Sequence, residues 1–517
     1  MADILLTTIN ARYLHASLGL RCLLANLGAL APRARIMEFT GEARTEDMVE
    51  RLLAQSPRIV GIGVYIWNVD ACTRLVTQLR LVAPGLTIVL GGPEVSHETD
   101  AQRICAMADH VVTGAGEIAF AQLCRQLLDD RPPRPAAFGD ARPPKVISGG
   151  APAPGLLEMP YAHYTDEDIR HRALYVEASR GCPFRCEFCL SSLDRTAVPF
   201  DIDRLLDELA SLHARGARQF RFVDRTFNLK VDNSLRILGF FLERLDAHPD
   251  DPVFAHFELV PDHLPPRLRE TIRRFPPGTL QFEIGIQTWN PQVQALISRR
   301  QDDAAAQDNL AWLLAETHAH LHVDLIAGLP GEDMESFGAG FDRLVAIGPH
   351  EIQVGILKRL RGAPIARHTE PFAMRFNPDP PYNVLSTDRL SFSDLQRIAR
   401  FARYWDLIGN SGRFRRTRAL VLGASPFARF MALADWLHAR TDATHRIALE
   451  RQFELVRDWL LERGGGDPAQ VDAALSDDYR DSGARGRPGF LARGVAGGDT
   501  APATGAAPQR QARHLPG

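Results

Sequence analysis

Between residues 4 and 128, short apolar runs alternate with stretches whose apolar residues recur every three or four positions. The runs Ile4 to Ile9, Ala34 to Phe39, Ile59 to Val64, Leu86 to Leu90 and His110 to Val112 read as strands. The stretches near Ser17 to Leu30, Thr45 to Gln55, Asp70 to Leu81 and Glu117 to Leu128 read as amphipathic helices. This alternation predicts a doubly wound parallel sheet, whose ligands lie beyond the carboxyl ends of the strands. Those ends carry Asn10, Tyr65, the pair Gly91-Gly92 and the run Gly114-Ala115-Gly116-Glu117. Glycine there lets a backbone approach a bulky ligand with no side chain between.

A second alternation begins at Leu174. Strand-like runs at Leu174 to Ser179, Gln219 to Val223, Val253 to Val260, Leu280 to Ile286, His322 to Ala327 and Ile352 to Leu357 are separated by helix-like text. The separating stretches are Asp201 to Ala214, Asp232 to Leu245, Pro265 to Phe275, Asp302 to Glu316 and Asp333 to Ala346. Six such units predict an incomplete parallel (β/α)6 barrel of the TIM type, with its reactive groups at the carboxyl ends of the strands. Helical text follows at Phe392 to Leu407, Ser425 to Arg440 and His445 to Arg463. The expected divisions are a first α/β domain over 1–130, a Pro/Gly-rich linker over 131–170, the barrel over 171–362 and a helical domain over 363–463. The tail over 464–517, rich in Gly, Ala, Pro and Arg, is expected to be disordered.

The 517 residues suit a multidomain enzyme, and no run of apolar residues is long enough to span a bilayer. A net charge of -3, with lysine only at Lys145, Lys230 and Lys358, gives no electrostatic case for a nucleic-acid partner. Of the seven cysteines, Cys22, Cys72, Cys105 and Cys124 lie in helical or strand-like text and read as core thiols. The other three stand in Gly181-Cys182-Pro183-Phe184-Arg185-Cys186-Glu187-Phe188-Cys189, where the first strand of the second alternation runs into a loop. Three thiolates can hold three irons of a 4Fe-4S cluster and leave the fourth open, whereas a closed zinc site needs four ligands. An odd cysteine count and such a motif fit a reducing, cytoplasmic setting.

The cysteine spacing, with Phe188 before the last cysteine, resembles the signature of the radical S-adenosylmethionine (SAM) superfamily. That resemblance implies Cys182, Cys186 and Cys189 as cluster ligands, with SAM chelating the open iron beside Phe188. The text Gly285-Ile286-Gln287 followed by Arg299-Arg300, and the run Asp324-Leu325-Ile326-Ala327-Gly328-Leu329-Pro330-Gly331-Glu332, resemble superfamily members of the coproporphyrinogen dehydrogenase and methylthiotransferase type. Carried over, Asp224 would face the SAM amino group, Glu258, Gln287 and Asp324 the ribose and methionine end, and Arg299 the carboxylate. Chemistry agrees, since carboxylates accept paired hydroxyls and a guanidinium forks onto a carboxylate.

The two glycine segments of the first domain, placed ahead of a barrel, resemble the flavodoxin-like cobalamin-binding domain of one large subgroup. That resemblance implies cobalamin contacts at Asn10, Tyr65, Gly91, Gly92, Gly114, Gly116 and Glu117. The Asp-x-His-x-x-Gly motif of many cobalamin proteins is absent. Tyr13 stands in the aspartate position and Leu18 in the glycine position around His15, so cobalamin is expected without a histidine on cobalt. The helical C-terminus resembles the uncharacterised extension of one subgroup, in which Tyr382, Tyr404 and Arg413 either line a substrate pocket or pack a helical cap.

The resemblance implies reductive cleavage of SAM to a 5'-deoxyadenosyl radical and, with cobalamin, methylation of an unactivated carbon of a small molecule. A reducing partner such as flavodoxin or ferredoxin is expected, with no nucleic acid and no membrane. Non-methylating rearrangement and a non-catalytic cobalamin or redox sensor are the alternatives. RNA or protein methylthiolation is disfavoured, because the N-terminal half holds no second cysteine triad.

Overall fold

The computed structural model describes residues 2–128, 143–484, 486, 488–491 and 508–515. The chain divides into two compact units. One comprises Met1–Asp224, Arg359–Ala366 and Asn377–Tyr382; the other comprises Arg225–Lys358, Arg367–Phe376 and Asn383–Gly517.

In the first unit β1 (Ile4–Asn10), β2 (Ala34–Thr40), β3 (Ile59–Gly63), β4 (Thr87–Gly91), β5 (His110–Thr113) and β6 (Val146–Ser148) build one parallel sheet in the order β2-β1-β3-β4-β5-β6. The order reverses between β1 and β3, which makes that crevice the switch point of the fold. All seven residues of β1 are buried, and the pleat sends alternate ones to opposite faces. Leu5 and Ile9 join Val60, Ile62 and Leu75 on one side. Ile4 and Leu6 join Val89, Leu123 and Phe120 on the other.

β6 falls inside the stretch read as linker. Its apolar run is only two residues long and two of its three side chains are exposed, so flanking prolines and glycines hid an edge strand. The Pro-rich run 131–142 lies outside the described residues.

Parallel pairing resumes with β7 (Leu174–Val176), followed by β8 (Ser179–Arg180), β9 (Val198–Pro199) and β10 (Gln219–Phe222). β7 lies parallel to β10, while β8 and β9 form a short antiparallel ribbon. In the second unit β11 (Phe254–Leu259), β12 (Leu280–Gln287), β13 (His320–Ala327) and β14 (Glu351–Ile356) are successive parallel neighbours. Parallel neighbours need crossovers, supplied here by the helices Pro266–Ile272, Asp303–Glu316 and Met334–Ile347. Asp302 and Asp333 cap the last two by accepting the amides of Ala305 and Ser336, each cap stabilising by about 1 kcal/mol.

The helical C-terminal region packs Phe401 and Trp405 against Phe341, and Phe430 against Phe401 and Trp405 in turn. The tail departs from expectation. Pro468–Asp481 is a helix, capped by Asp467, that buries Val471, Leu475 and Tyr479. These recur every fourth residue, a one-residue-wide stripe that the surrounding Ala, Asp and Gly diluted below notice. Tail residues 492–507 lie outside the described residues. Among the described residues no helix is long and apolar enough to cross a membrane.

Candidate functional site: cysteine loop, glycine turns and a charged sheet face

The cysteine loop is shaped by its own backbone. Gly181 has a φ of 87°, and a Cβ there would collide with the carbonyl oxygen of Thr196, so the turn out of β8 requires glycine. The Cys182 amide donates to the Asp194 carbonyl at 2.9 Å, and that of Cys189 to the Cys186 carbonyl at 3.1 Å. Cys182 and Cys186 are buried and Cys189 and Phe188 half-buried. Among the described residues no three His, Cys, Asp or Glu side chains are gathered as around a metal ion. The donor set nevertheless fits a 4Fe-4S cluster, with three thiols on a short pinned loop that opens from a strand end.

Asp224 follows β10. Its carboxylate accepts the Ala178 amide at 2.9 Å and the Ser179 hydroxyl at 2.6 Å, and burial pushes it up to about 6. It therefore braces the strand leading to the cysteines. Arg225 reaches Glu258 at 2.6 Å.

In the second unit the polar positions of β11 to β14 share one face through a two-residue period. Register sets Glu258 beside Glu283, Glu283 beside His322, and His322 beside Glu351. His256 lies 3.3 Å from Glu283, and His322 lies 3.3 Å from Asp324 and 3.5 Å from Glu351. Burial, with Glu283 and Asp324 nearby, pushes Glu258 up to about 7 against the pull of Arg225. Burial opposes the charge on His322, yet the carboxylates of Asp324 and Glu351 beside it hold it up at about 10. Sequence reasoning found Glu258 and Asp324 and missed His256, Glu283, His322 and Glu351. The alternation His320-Leu321-His322-Val323-Asp324 carried the signal.

Gln287 sits at a φ of 70°, where the pairing of β12 with β13 slips between Gly285 and Gln287. Its amide folds over Gly285, occupying the place a Cβ would take. Arg299 donates to the Gly285 carbonyl and to Gln301 Oε1. Gly285 thus draws Gln287 and Arg299 together.

At the glycine turns of the first unit lies a mostly apolar cavity of about 350 Å³. Of the residues expected to meet cobalamin, Tyr65, Gly91, Gly92, Gly114, Gly116 and Glu117 line it. Gly92 has a φ of 109°, and a Cβ there would stand 2.5 Å from the Val64 carbonyl oxygen. Asn10 is not in the lining; it donates to Glu38 at 3.0 Å, inside an ion-pair group with Arg21 and Asp168. His15 is hydrogen-bonded to the Tyr175 hydroxyl at 2.6 Å. Tyr65 stacks on Trp67, which is 57% exposed.

Glu117 also meets Arg180, the residue before Gly181, at 2.7 Å, and Arg180 meets Glu177 at 2.9 Å. Burial, only partly offset by Arg180, pushes Glu177 up to about 7. Tyr382 is buried and donates to Glu94 at 2.6 Å. Tyr404 is buried among the C-terminal helices and donates to the Ala443 carbonyl at 2.7 Å. The Tyr404 hydroxyl is spent within the helical region, whereas that of Tyr382 reaches the acid that follows the Gly91-Gly92 turn.

The profile of the radical SAM superfamily matches residues 176–344, that of the B12 binding domain residues 4–124, and that of a protein family of unknown function, DUF4080, residues 370–501. The chain is 24% identical over 347 residues to the cobalamin-dependent radical SAM methyltransferase TokK of Streptomyces tokunonensis, covering 62% of this chain and 50% of that protein. It is 26% identical over 344 residues to the 2-(S-pantetheinyl)-carbapenam-3-carboxylate methyltransferase of Streptantibioticus cattleyicolor, with the same coverage of 62% and 50%. The chain spans about half the length of these curated relatives.

Among solved structures, the cobalamin-dependent S-adenosylmethionine radical enzyme OxsB superposes with a TM-score of 0.57 at 13% identity, over 92% of this chain and 78% of that one. The radical SAM methyltransferase TsrM of Kitasatospora setae, solved with tryptophan and a SAM analog, gives 0.56 at 16% identity, over 73% and 79%. These likenesses show the fold. The chain carries a B12-binding domain followed by a radical SAM domain, and those domains imply cobalamin, a 4Fe-4S cluster and SAM as cofactors.

Proposed function

We propose that this chain is a cobalamin-dependent radical SAM enzyme that reductively cleaves SAM and methylates an unactivated carbon of a small-molecule substrate. The observation that carries the reading is the tie, through Arg180, between the cysteine loop and the glycine-lined cavity of one compact unit. A cluster and a corrinoid, when bound, supply the one-electron chemistry and the methyl carrier. The chain's own residues bind, orient and exclude water.

In this reading Cys182, Cys186 and Cys189 hold the cluster and Phe188 shields it. Asp224, expected to face the SAM ammonium, instead acts from behind it by bracing the strand that leads to the cysteines. Glu258 and Asp324 accept hydroxyls, and Gln287 and Arg299 hold the polar end of the methionine moiety. Tyr65, Gly91, Gly92, Gly114 and Gly116 cradle the corrinoid, and the engagement of His15 with Tyr175 fits a cobalt without a histidine ligand. Domains at 1–130, 171–362 and 363–463 divide these tasks, and a small acidic electron carrier such as flavodoxin or ferredoxin supplies the electron.

Anaerobic reconstitution with iron, sulfide and hydroxocobalamin, then chromatography after addition of SAM and a reductant, tests the reading. Formation of both 5'-deoxyadenosine and S-adenosylhomocysteine is expected. Deoxyadenosine alone would replace methylation by a rearrangement, and neither product would leave a sensor.

A further inference from the structure

The two acidic residues that follow the glycine turns of the first domain are engaged by arginines. Glu117, just after Gly114-Ala115-Gly116, is buried and pairs with Arg180 at 2.7 Å. Arg180 lies in β8 and is followed by Gly181 and Cys182, so this ion pair ties one glycine turn to the entrance of the cysteine loop.

Glu94, just after Gly91-Gly92-Pro93, is also buried, and it receives Arg361 Nε at 2.9 Å and the Tyr382 hydroxyl at 2.6 Å. Arg361 forks further onto Glu98 at 3.1 Å, which Arg359 also reaches at 3.0 Å. Gly362, at a φ of 81°, lies so close to His97 that a Cβ would collide with the imidazole. Three residues on, the Ile365 amide donates to the Glu187 carbonyl at 2.9 Å, between the second and third cysteines. The strap Arg359–Ala366 therefore grips the Gly91-Gly92 turn at one end and the middle of the cysteine loop at the other, within the same compact unit.

We propose that Arg180 and Arg361 are positioning residues that clamp the cysteine loop to the two glycine turns, so that filling the corrinoid cavity and loading the cluster favour each other. The inference rests on the cofactor reading above and goes beyond it by naming the two residues that couple the sites. Both acids are nearly dry, so each arginine supplies the charge that makes the burial of its partner tolerable. A loop held at both ends has fewer arrangements to lose when either cofactor binds. Occupancy of one site then lowers the ordering cost at the other, a coupling that is reciprocal by linkage.

The experiment is a four-corner titration on the full chain, kept free of oxygen. The dissociation constant of hydroxocobalamin is measured with the cluster reconstituted and without it, for the natural chain, Arg361→Met, Arg180→Met and the double variant. Cluster content is followed by iron and sulfide assay and by electron paramagnetic resonance. In the natural chain, cluster loading is expected to tighten cobalamin binding about tenfold. Each single variant should lower that ratio, and the double variant should bring it to about one. Arg361→Lys, which keeps the charge but loses the fork, should fall between.

A purely structural role would weaken binding equally with and without the cluster and leave the ratio alone. That result overturns the proposal, as does a ratio of one in the natural chain. If the methionine variants fail to fold, Tyr382→Phe, which removes one hydroxyl from the same clamp, must lower the ratio or the proposal falls. A natural chain that retains no cobalamin under any condition overturns the cofactor reading itself, an outcome separate from retention without coupling.

Discussion

The two parallel sheets begin from the same strand and helix alternation and end as opposites. In the first, both faces of β1, β3, β4 and β5 are largely apolar and covered; what remains is the rim, where Gly91-Gly92 and Gly114-Ala115-Gly116 thin the backbone around an apolar cavity. In the second, one face of β11 to β14 carries His256, Glu258, Glu283, His322, Asp324 and Glu351 at alternate positions. A sheet face full of half-paired charge is costly unless something polar meets it. The first sheet offers shape at its edge and the second offers charge on its face.

The contrast can be broken at the cysteines first. Cys186→Ala is expected to abolish the brown absorbance and SAM cleavage while cobalamin is still retained, about tenfold more weakly, as read by absorbance and product chromatography; complete loss of retention with the cluster would make the two sites one. Next, Gly92→Val forces a side chain against the Val64 carbonyl at a positive φ, and about 100-fold weaker cobalamin binding with a normal iron content is the expected result. Asp324→Asn removes the charge facing His322 and should weaken SAM binding by about 10- to 100-fold by equilibrium dialysis, with cobalamin binding unchanged.

A finer test uses protons. Glu258 is held up at about 7, so between the ordinary carboxylate range and that value the folded chain keeps a proton that the unfolded chain has released. Stability from this group is therefore full at low pH and is lost as pH rises toward 7. Melting temperatures measured from pH 5 to 7.5 should show a shallower decline for Glu258→Gln than for the natural chain; parallel curves would remove Glu258 from the account. The smallest effect belongs to the rim of the first sheet. Tyr382→Phe should cost about 1 kcal/mol in denaturant unfolding, because Glu94 keeps Arg361.

Much of this architecture could be read from the residues because each element declares itself locally. Asp302 and Asp333 stand where helices start, and β1 to β5 appear as apolar runs bounded by turn residues. β6 and the helix Pro468–Asp481 did not, since their apolar content is two or three residues set in Gly, Pro, Ala and Asp; their stability comes from neighbours distant in sequence. The candidate site divides in the same way. Cysteine and glycine spacings are local and were legible. The pairing of Arg180 with Glu117 spans 63 positions and that of Arg361 with Glu94 spans 267, and neither arginine is marked by its surroundings. The turn of Asn10 toward Glu38 was hidden for the same reason, since Arg21 and Asp168, which complete that group, come from elsewhere in the chain.

Burial acts on four of the sulfurs in this chain. Cys72 and Cys124 are pushed up to about 12 and Cys105 to about 11, and burial drives Cys22 up as well. At neutral pH almost no anion exists at these four positions, and it is the anion that captures iron, peroxide or an alkylating reagent. A folded sample that loses its inorganic atoms to air should therefore accumulate damage at two adjacent tryptic peptides, 181–185 with Cys182 and 186–195 with Cys186 and Cys189. The masses of those two fragments become a ledger of the sample's exposure.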